Sequence, residues 1–131
     1  MSAAYDIAKK LEALGFGAVG SVIGVDAFMD KGDNEIAVFQ FAGLPDVVTH
    51  GGQTQIEYPA LQIQVRNVSN QQAFDSCYSV YKALRGLKGE TLQGTSYDYL
   101  EAKVLPQKLS VDEKQRTIWY CEIQAHRSPS A

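Results

Sequence analysis

The sequence predicts an α+β fold: a mixed or antiparallel β-sheet of about four strands, with one main helix packed on one face and a short N-terminal helix. Three observations predict it. Residues 60–67 alternate apolar and polar, the mark of a half-buried strand. Residues 69–89 carry a wide apolar stripe at helical spacing. The segments run α, β, long loop, β, α, β, β, without the regular β-α-β alternation of a parallel sheet, and they end in two strands suited to antiparallel pairing. A chain of 131 residues suits one domain. We assign residues 1–127 to it and 128–131, Ser-Pro-Ser-Ala, to a flexible tail.

Ala4, Ile7, Ala8, Leu11 and Leu14 recur at three- and four-residue steps, so residues 3–14 form the first helix. Asp6 sits in its first turn, where it favours the helix dipole, and Gly15 supplies the stop. A small apolar run, Val19–Val25, follows. Asp30, Gly32, Asp33 and Asn34 then make a polar turn. Ile36, Val38 and Gln40 alternate with Ala37, Phe39 and Phe41, so this strand is apolar on nearly both faces. Such a strand is covered on both sides or meets another subunit.

Residues 43–58 show no period and contain Pro45 and Gly51–Gly52, which reads as a flexible excursion between strands or a long β-arm. The strand 60–67 directs Leu61, Ile63 and Val65 to one face and Gln62, Gln64 and Arg66 to the other. In the main helix, Ser69 with Gln72 matches a capping box. Ala73, Cys77, Val80, Leu84 and Leu87 form its stripe, with Phe74, Tyr78 and Tyr81 beside them. Gly86 and Gly89 mark its end. Residues 97–105 and 116–126 are the last two strands. In the second, Trp119, Cys121, Ile123 and Ala125 share a face opposite Ile118, Tyr120, Glu122 and Gln124. With the helix on one face, the glutamines belong to the uncovered side of the sheet.

Composition removes several function classes. Net charge is −3, so there is no basic footprint for nucleic acid. Residues 1–66 hold 4 Lys/Arg against 8 Asp/Glu and residues 67–131 hold 8 against 7, a mild split that reads as an uneven solvated surface, with copies meeting head to tail as the alternative. Cys77 and Cys121 fall on core-facing positions outside any C-x-x-C pair; buried free thiols are the default reading and a disulfide the alternative. No segment approaches the ~20 apolar residues of a membrane span, and the N-terminus has no signal-peptide pattern, so a cytoplasmic protein is expected.

No catalytic constellation emerges. His50 stands in Thr-His-Gly-Gly, similar to an esterase oxyanion run, but no G-x-S-x-G elbow accompanies it. Asp26, Asp30, Asp33, Asn34 and Glu35 lack EF-hand offsets. The run Gly15–Gly20 has G-x-G-x-x-G spacing but follows a helix rather than a strand. Lys82, Arg85 and Lys88 suit the helix C-terminus. We expect no enzyme, cofactor or metal; the opposing reading is a small hydrolase or ligand-binding domain using His50 and Asp46.

Three stretches together resemble the small phage proteins known as minor capsid proteins, which include tail terminators, or tail-completion proteins, of long-tailed phages. The first is the Gly-ended N-terminal helix leading to the acidic turn from Asp26, then Ile36-Ala37-Val38-Phe39, closed by Gly43. The second is Tyr58-Pro59 with the alternating strand ending at Arg66. The third is the helix from Ala73 to Leu84-x-Gly86-Leu87, followed by two strands. The match runs over residues 3–126; the 43–58 segment is hard to align.

The resemblance implies a structural virion protein, made in the bacterial host cytoplasm and located in the tail. It implies a ring of copies of this chain, commonly a hexamer, which caps the head-proximal end of the tail tube, stops tube polymerisation and offers a surface for head joining. Tube protein and head–tail connector protein would be partners, and DNA would only pass through the lumen. A head–tail connector or head-completion role is the alternative. The expected oligomer interface is Ile36, Val38, Phe39, Phe41, Val47, Val48, Gln53, Gln55 and Ile56. Gln62, Gln64, Glu122 and Gln124 are the expected lumen-facing residues, because a lumen free of Lys and Arg does not grip phosphate.

Overall fold

The computed structural model describes residues 2–48 and 55–128. Helix α1 spans Ala3–Ala13 and α2 spans Asn70–Leu84. The strands are β1 (Ile23–Val25), β2 (Glu35–Val48), β3 (Gln55–Asn67), β4 (Lys88–Leu92), β5 (Thr95–Val111) and β6 (Thr117–Ser128). They form one sheet in the order β1-β2-β3-β6-β5-β4. Among the described strand pairs, only β1–β2 is parallel.

The α+β class holds, but the sheet has six strands rather than about four. The two additions carry little sequence signal: β1 has three residues, and β4, Lys-Gly-Glu-Thr-Leu, buries only Leu92. The segment 43–58 is also largely strand where it is described. Here β2 and β3 stay paired through Leu44↔Tyr58, Val47↔Ile56 and Val48↔Gln55, across two register shifts. Those irregularities accommodate Gly43 and Pro45 and erase the two-residue period. Strand β5 runs six residues past the expected end, and Ser128 belongs to β6 rather than to a tail.

Local signals set the helices as expected. Ser2 caps α1 by accepting from Tyr5 N, and the Gln40 amide oxygen on β2 accepts from Ala3 N at 3.0 Å. The helix ends in a Schellman turn: Phe16 N donates to Leu11 O and Gly15 N to Glu12 O, with Gly15 at φ +92°. Ser69 caps α2 by accepting from Gln72 N. The reciprocal half of the box is filled differently, because Ser69 N donates to the Asn67 side chain.

Both helices are packed into one core. Ile7, Leu11, Cys77, Val80 and Leu84 meet Ile36, Val38, Leu61, Ile63, Val65, Cys121 and Ile123 from the sheet. The cysteines are free and buried, and a hydrogen bond with Cys77 together with burial pushes the Cys121 thiol up. Gly24 is required by space: a Cβ there would come within 1.9 Å of the Ala27 carbonyl oxygen.

Candidate functional site

The face of the sheet opposite the helices is assembled by register. Ala37, Gln64 and Tyr120 lie side by side across β2, β3 and β6, as do Phe39, Gln62 and Glu122. Ala60 aligns with Gln124 in the same way. The four expected lumen residues therefore share one face. Gln64 Nε2 donates to Gln62 Oε1 at 2.7 Å, and Gln62 Nε2 donates to Glu122 Oε2 at 3.3 Å. This chain of amides ends on one carboxylate and holds no cation. Gln124 differs from the others: it is 6% exposed, and its Nε2 reaches the Tyr58 carbonyl at 3.5 Å, so it offers little to a lumen.

At one end this face is covered by the chain's own 26–34 segment. The Glu35 carboxylate accepts from the backbone N–H groups of Asp30, Lys31 and Gly32 at 2.8, 2.5 and 2.8 Å. Burial raises the Glu35 pKa, but the three N–H donors and the Arg66 cation outweigh it, and the net shift is downward. Arg66, 5% exposed, donates to the carbonyls of Gly32 and Asp33 and lies over the Phe28 ring at 4.6 Å. Arg116 bonds Asp112 at 2.8 Å and reaches Asp33 at 3.4 Å. The acidic turn is thus held by arginines, and among the described residues no group of three or more ligating side chains could hold a metal.

The interface expected of β2 and the arm divides in two. Ile36 and Val38 lie in the core beneath the helices, so their side chains are committed within the chain. The outer face of β2 carries Phe39, stacked edge-on to Phe28 at 6.4 Å, and Phe41, 43% exposed. Ile56 is half-buried on β3. Val47, Val48 and Gln55 lie on paired strand positions of the arm. Gln53 lies outside the described residues, and so does His50 of the hydrolase reading. His126 is paired with Glu101 at 3.2 Å.

Sequence reasoning missed a buried polar network on the helix side at the root of the arm. Asp6 is fully buried and accepts from Tyr97 OH at 2.6 Å. Arg127 lies 3.9 Å from Asp6 and donates to Glu57 at 2.7 Å. Burial raises the Asp6 pKa against the opposing pull of Tyr97 and Arg127, and it raises the Tyr97 phenol too. No periodic signal marks these residues, because Asp6 already suits a first turn and Tyr97 suits any strand.

No helix of the described residues is long and apolar enough to cross a membrane. A family model described as bacteriophage tail terminator protein matches residues 10–129. No curated protein matches the chain. A chain of a solved structure, the virion of a native gene transfer agent particle, shares the fold with a TM-score of 0.61 at 16% identity. That alignment covers 95% of this chain and 91% of the other.

Proposed function

The chain belongs to the bacteriophage tail terminator family, and on that premise we propose that it forms a ring capping the head-proximal end of the tail tube. In that place it stops addition of tube protein and presents a surface to the head connector. Family membership over residues 10–129 carries the reading. Support comes from the likeness in fold to a chain of a virion particle. It also comes from the open sheet face, where Gln62, Gln64 and Glu122 are hydrogen-bonded to one another and Arg66, on the same face, is buried and tied to Glu35 and the Gly32 carbonyl rather than offered to phosphate.

A closed ring requires a head-to-tail contact between two different surfaces of one chain. Phe41, Ile56 and the paired arm of β2 and β3 form one of them. The lumen is assigned to the face carrying Gln62, Gln64 and Glu122. The function is one of shape, and no reaction is assigned to any residue.

The test is the mass of the purified protein by light scattering or native mass spectrometry, alone and with its tube protein, alongside micrographs of virions made without it. Multimers, and tails of uncontrolled length in the deletion, are expected. Single copies at high concentration even with tubes present, or tails of normal length that join heads in the deletion, overturn it. Mixing the protein separately with tails and with DNA-filled heads distinguishes a terminator from a connector on the capsid side.

A further inference from the structure

We propose that the outer flank of β5, from Glu101 to Val111, is the surface that receives the β2–β3 arm of a second copy of this chain. The inference rests on the ring reading and supplies its second surface.

The sheet order places β2 and β5 toward opposite flanks, and each outlasts its outer neighbour. Strand β4 pairs only with residues 95–99 of β5, and the Gly86–Leu87 backbone holds Leu100. Beyond Leu100, no described strand pairs with the outer side of β5, although its inner side stays paired with β6 to Val111. On the other flank β1 pairs only with residues 36–38 of β2, leaving the stretch through Val48 without a described outer partner.

Both stretches expose apolar side chains. Leu105, Leu109 and Val111 are 61%, 46% and 45% exposed, and Phe41 is 43% exposed. These four are among the few large apolar side chains that the described surface leaves open, and they divide between the two flanks. Charge is complementary as well. Residues 39–48 and 55–58 hold Asp46 and Glu57, the latter paired with Arg127, and neither Lys nor Arg, whereas residues 101–111 hold Lys103, paired with Glu101, and Lys108.

Polarity fits a head-to-tail joint. The successive pairs β2–β3, β3–β6 and β6–β5 are all antiparallel, so β2 and β5 run in opposite directions. A neighbour placed in the same orientation therefore brings its β2 antiparallel to β5. The open part of β2 lies at the arm end of the sheet and that of β5 toward the other end. Copies meeting this way step along the strand direction, and the step closes on itself only with strands oblique to the ring axis, as shear does in a barrel.

The joint is made chiefly by side chains. Strand β5 has register shifts at Ala102/Val104, Val104/Gln107 and Lys108/Ser110, and Pro106 lacks an N–H. Bulges, proline and lysine are the devices that keep an edge from accepting any passing strand. With the backbone ladder blunted, recognition falls to the apolar ledge and its lysines, which selects one partner.

The test uses two complementary variants of the full chain: Leu105→Lys with Leu109→Lys on the ledge, and Phe41→Lys on the arm. All three sites are exposed, and circular dichroism and melting establish that each variant folds; Val111→Lys substitutes for the ledge pair if it does not. Masses are read by light scattering with and without tube protein. The expected result is multimers for wild type, single copies for either variant alone, and two-copy species on mixing them, because the mixture restores one intact ledge and one intact arm. Variants that assemble as wild type does overturn the inference and leave the ring reading standing. Variants that stay single after mixing also overturn it, since the two surfaces then do not meet each other. Wild type that stays single even with tubes overturns the ring reading itself.

Discussion

Replacing Tyr97 with Phe removes one oxygen from the buried network and nothing else. The ring volume is kept, so no cavity term arises. The Asp6 carboxylate loses a 2.6 Å hydrogen bond in a fully buried site. Its Oδ1 already has no hydrogen-bond partner among the described residues, which leaves Arg127 at 3.9 Å as the remaining support. A hydrogen bond to a charged group contributes about 1.5–3 kcal/mol, and an acceptor stranded in the interior costs a similar amount. The expected loss is therefore about 2–3 kcal/mol, or roughly 6–10 °C in Tm for a chain of this size.

Urea unfolding at pH 7 measures the loss, at a concentration low enough that association does not add to stability. A cycle with Asp6→Ala isolates the pair and should return a coupling of at least about 1 kcal/mol. The raised Asp6 pKa adds a sign. A carboxyl whose folded pKa lies above its unfolded value contributes stability that is full below the unfolded pKa and is lost as pH rises through the folded one. Asp6→Asn should remove that component, so the variant loses less stability than wild type as pH rises above the unfolded carboxyl range. A Tyr97→Phe cost below about 0.5 kcal/mol with no coupling would refute the network as a structural element.

Other expectations follow from the same geometry. Gly24→Ala should cost at least about 2 kcal/mol, read as a lower urea midpoint at unchanged slope, because its Cβ collides with the Ala27 carbonyl and only backbone can yield. Glu35 has a lowered folded pKa, so its contribution is present above the unfolded pKa and disappears as pH falls through the folded one. Glu35→Gln should therefore flatten the acid limb of the stability curve and cost about 2–3 kcal/mol at pH 7, because Arg66 stays buried with its paired carboxylate gone. Cys77 and Cys121 should resist a thiol reagent in the native protein and both react in urea, since both are buried and free. Rapid native labelling would show that the α2–sheet interface opens.

What was legible in the sequence was whatever produced a period. The faces of α2, β3 and β6 followed from their spacing, and Cys77, Cys121, Leu61 and Ile63 are core residues as that spacing required. Strand β4 was not legible, because a strand at the sheet edge that buries one leucine need not alternate. The arm was hidden for a different reason. Its two register shifts change which residues face which side, so pairing persists while the sequence pattern dissolves. On β2, apolar residues on both faces predict a strand covered on both sides or one that meets another subunit. The structure gives Ile36 and Val38 to the chain's own core and covers Phe39 with Phe28, leaving Phe41 exposed on that strand. Long-range polar pairs such as Asp6 with Tyr97, 91 positions apart, leave no local trace.

The placement of that polar pair bears on assembly. Asp6 comes from α1, Tyr97 from β5, Arg127 from β6 and Glu57 from β3, so four elements are tied where the arm leaves the sheet. Gln40, at the start of the open stretch of β2, adds a fifth tie through the first turn of α1. A docking element anchored at its root gives up less conformational freedom when it binds, and each side chain fixed beforehand spares about 0.5–1.5 kcal/mol of ordering cost. The ties are hydrogen bonds and ion pairs, whose geometry is directional, whereas apolar packing alone would let the arm settle at several angles. A ring of identical joints closes only when every joint has the same angle, because small errors add around the circle. In the proposed ring, the buried Asp6 carboxyl costs stability in one chain and fixes the angle at which its arm is presented to the next.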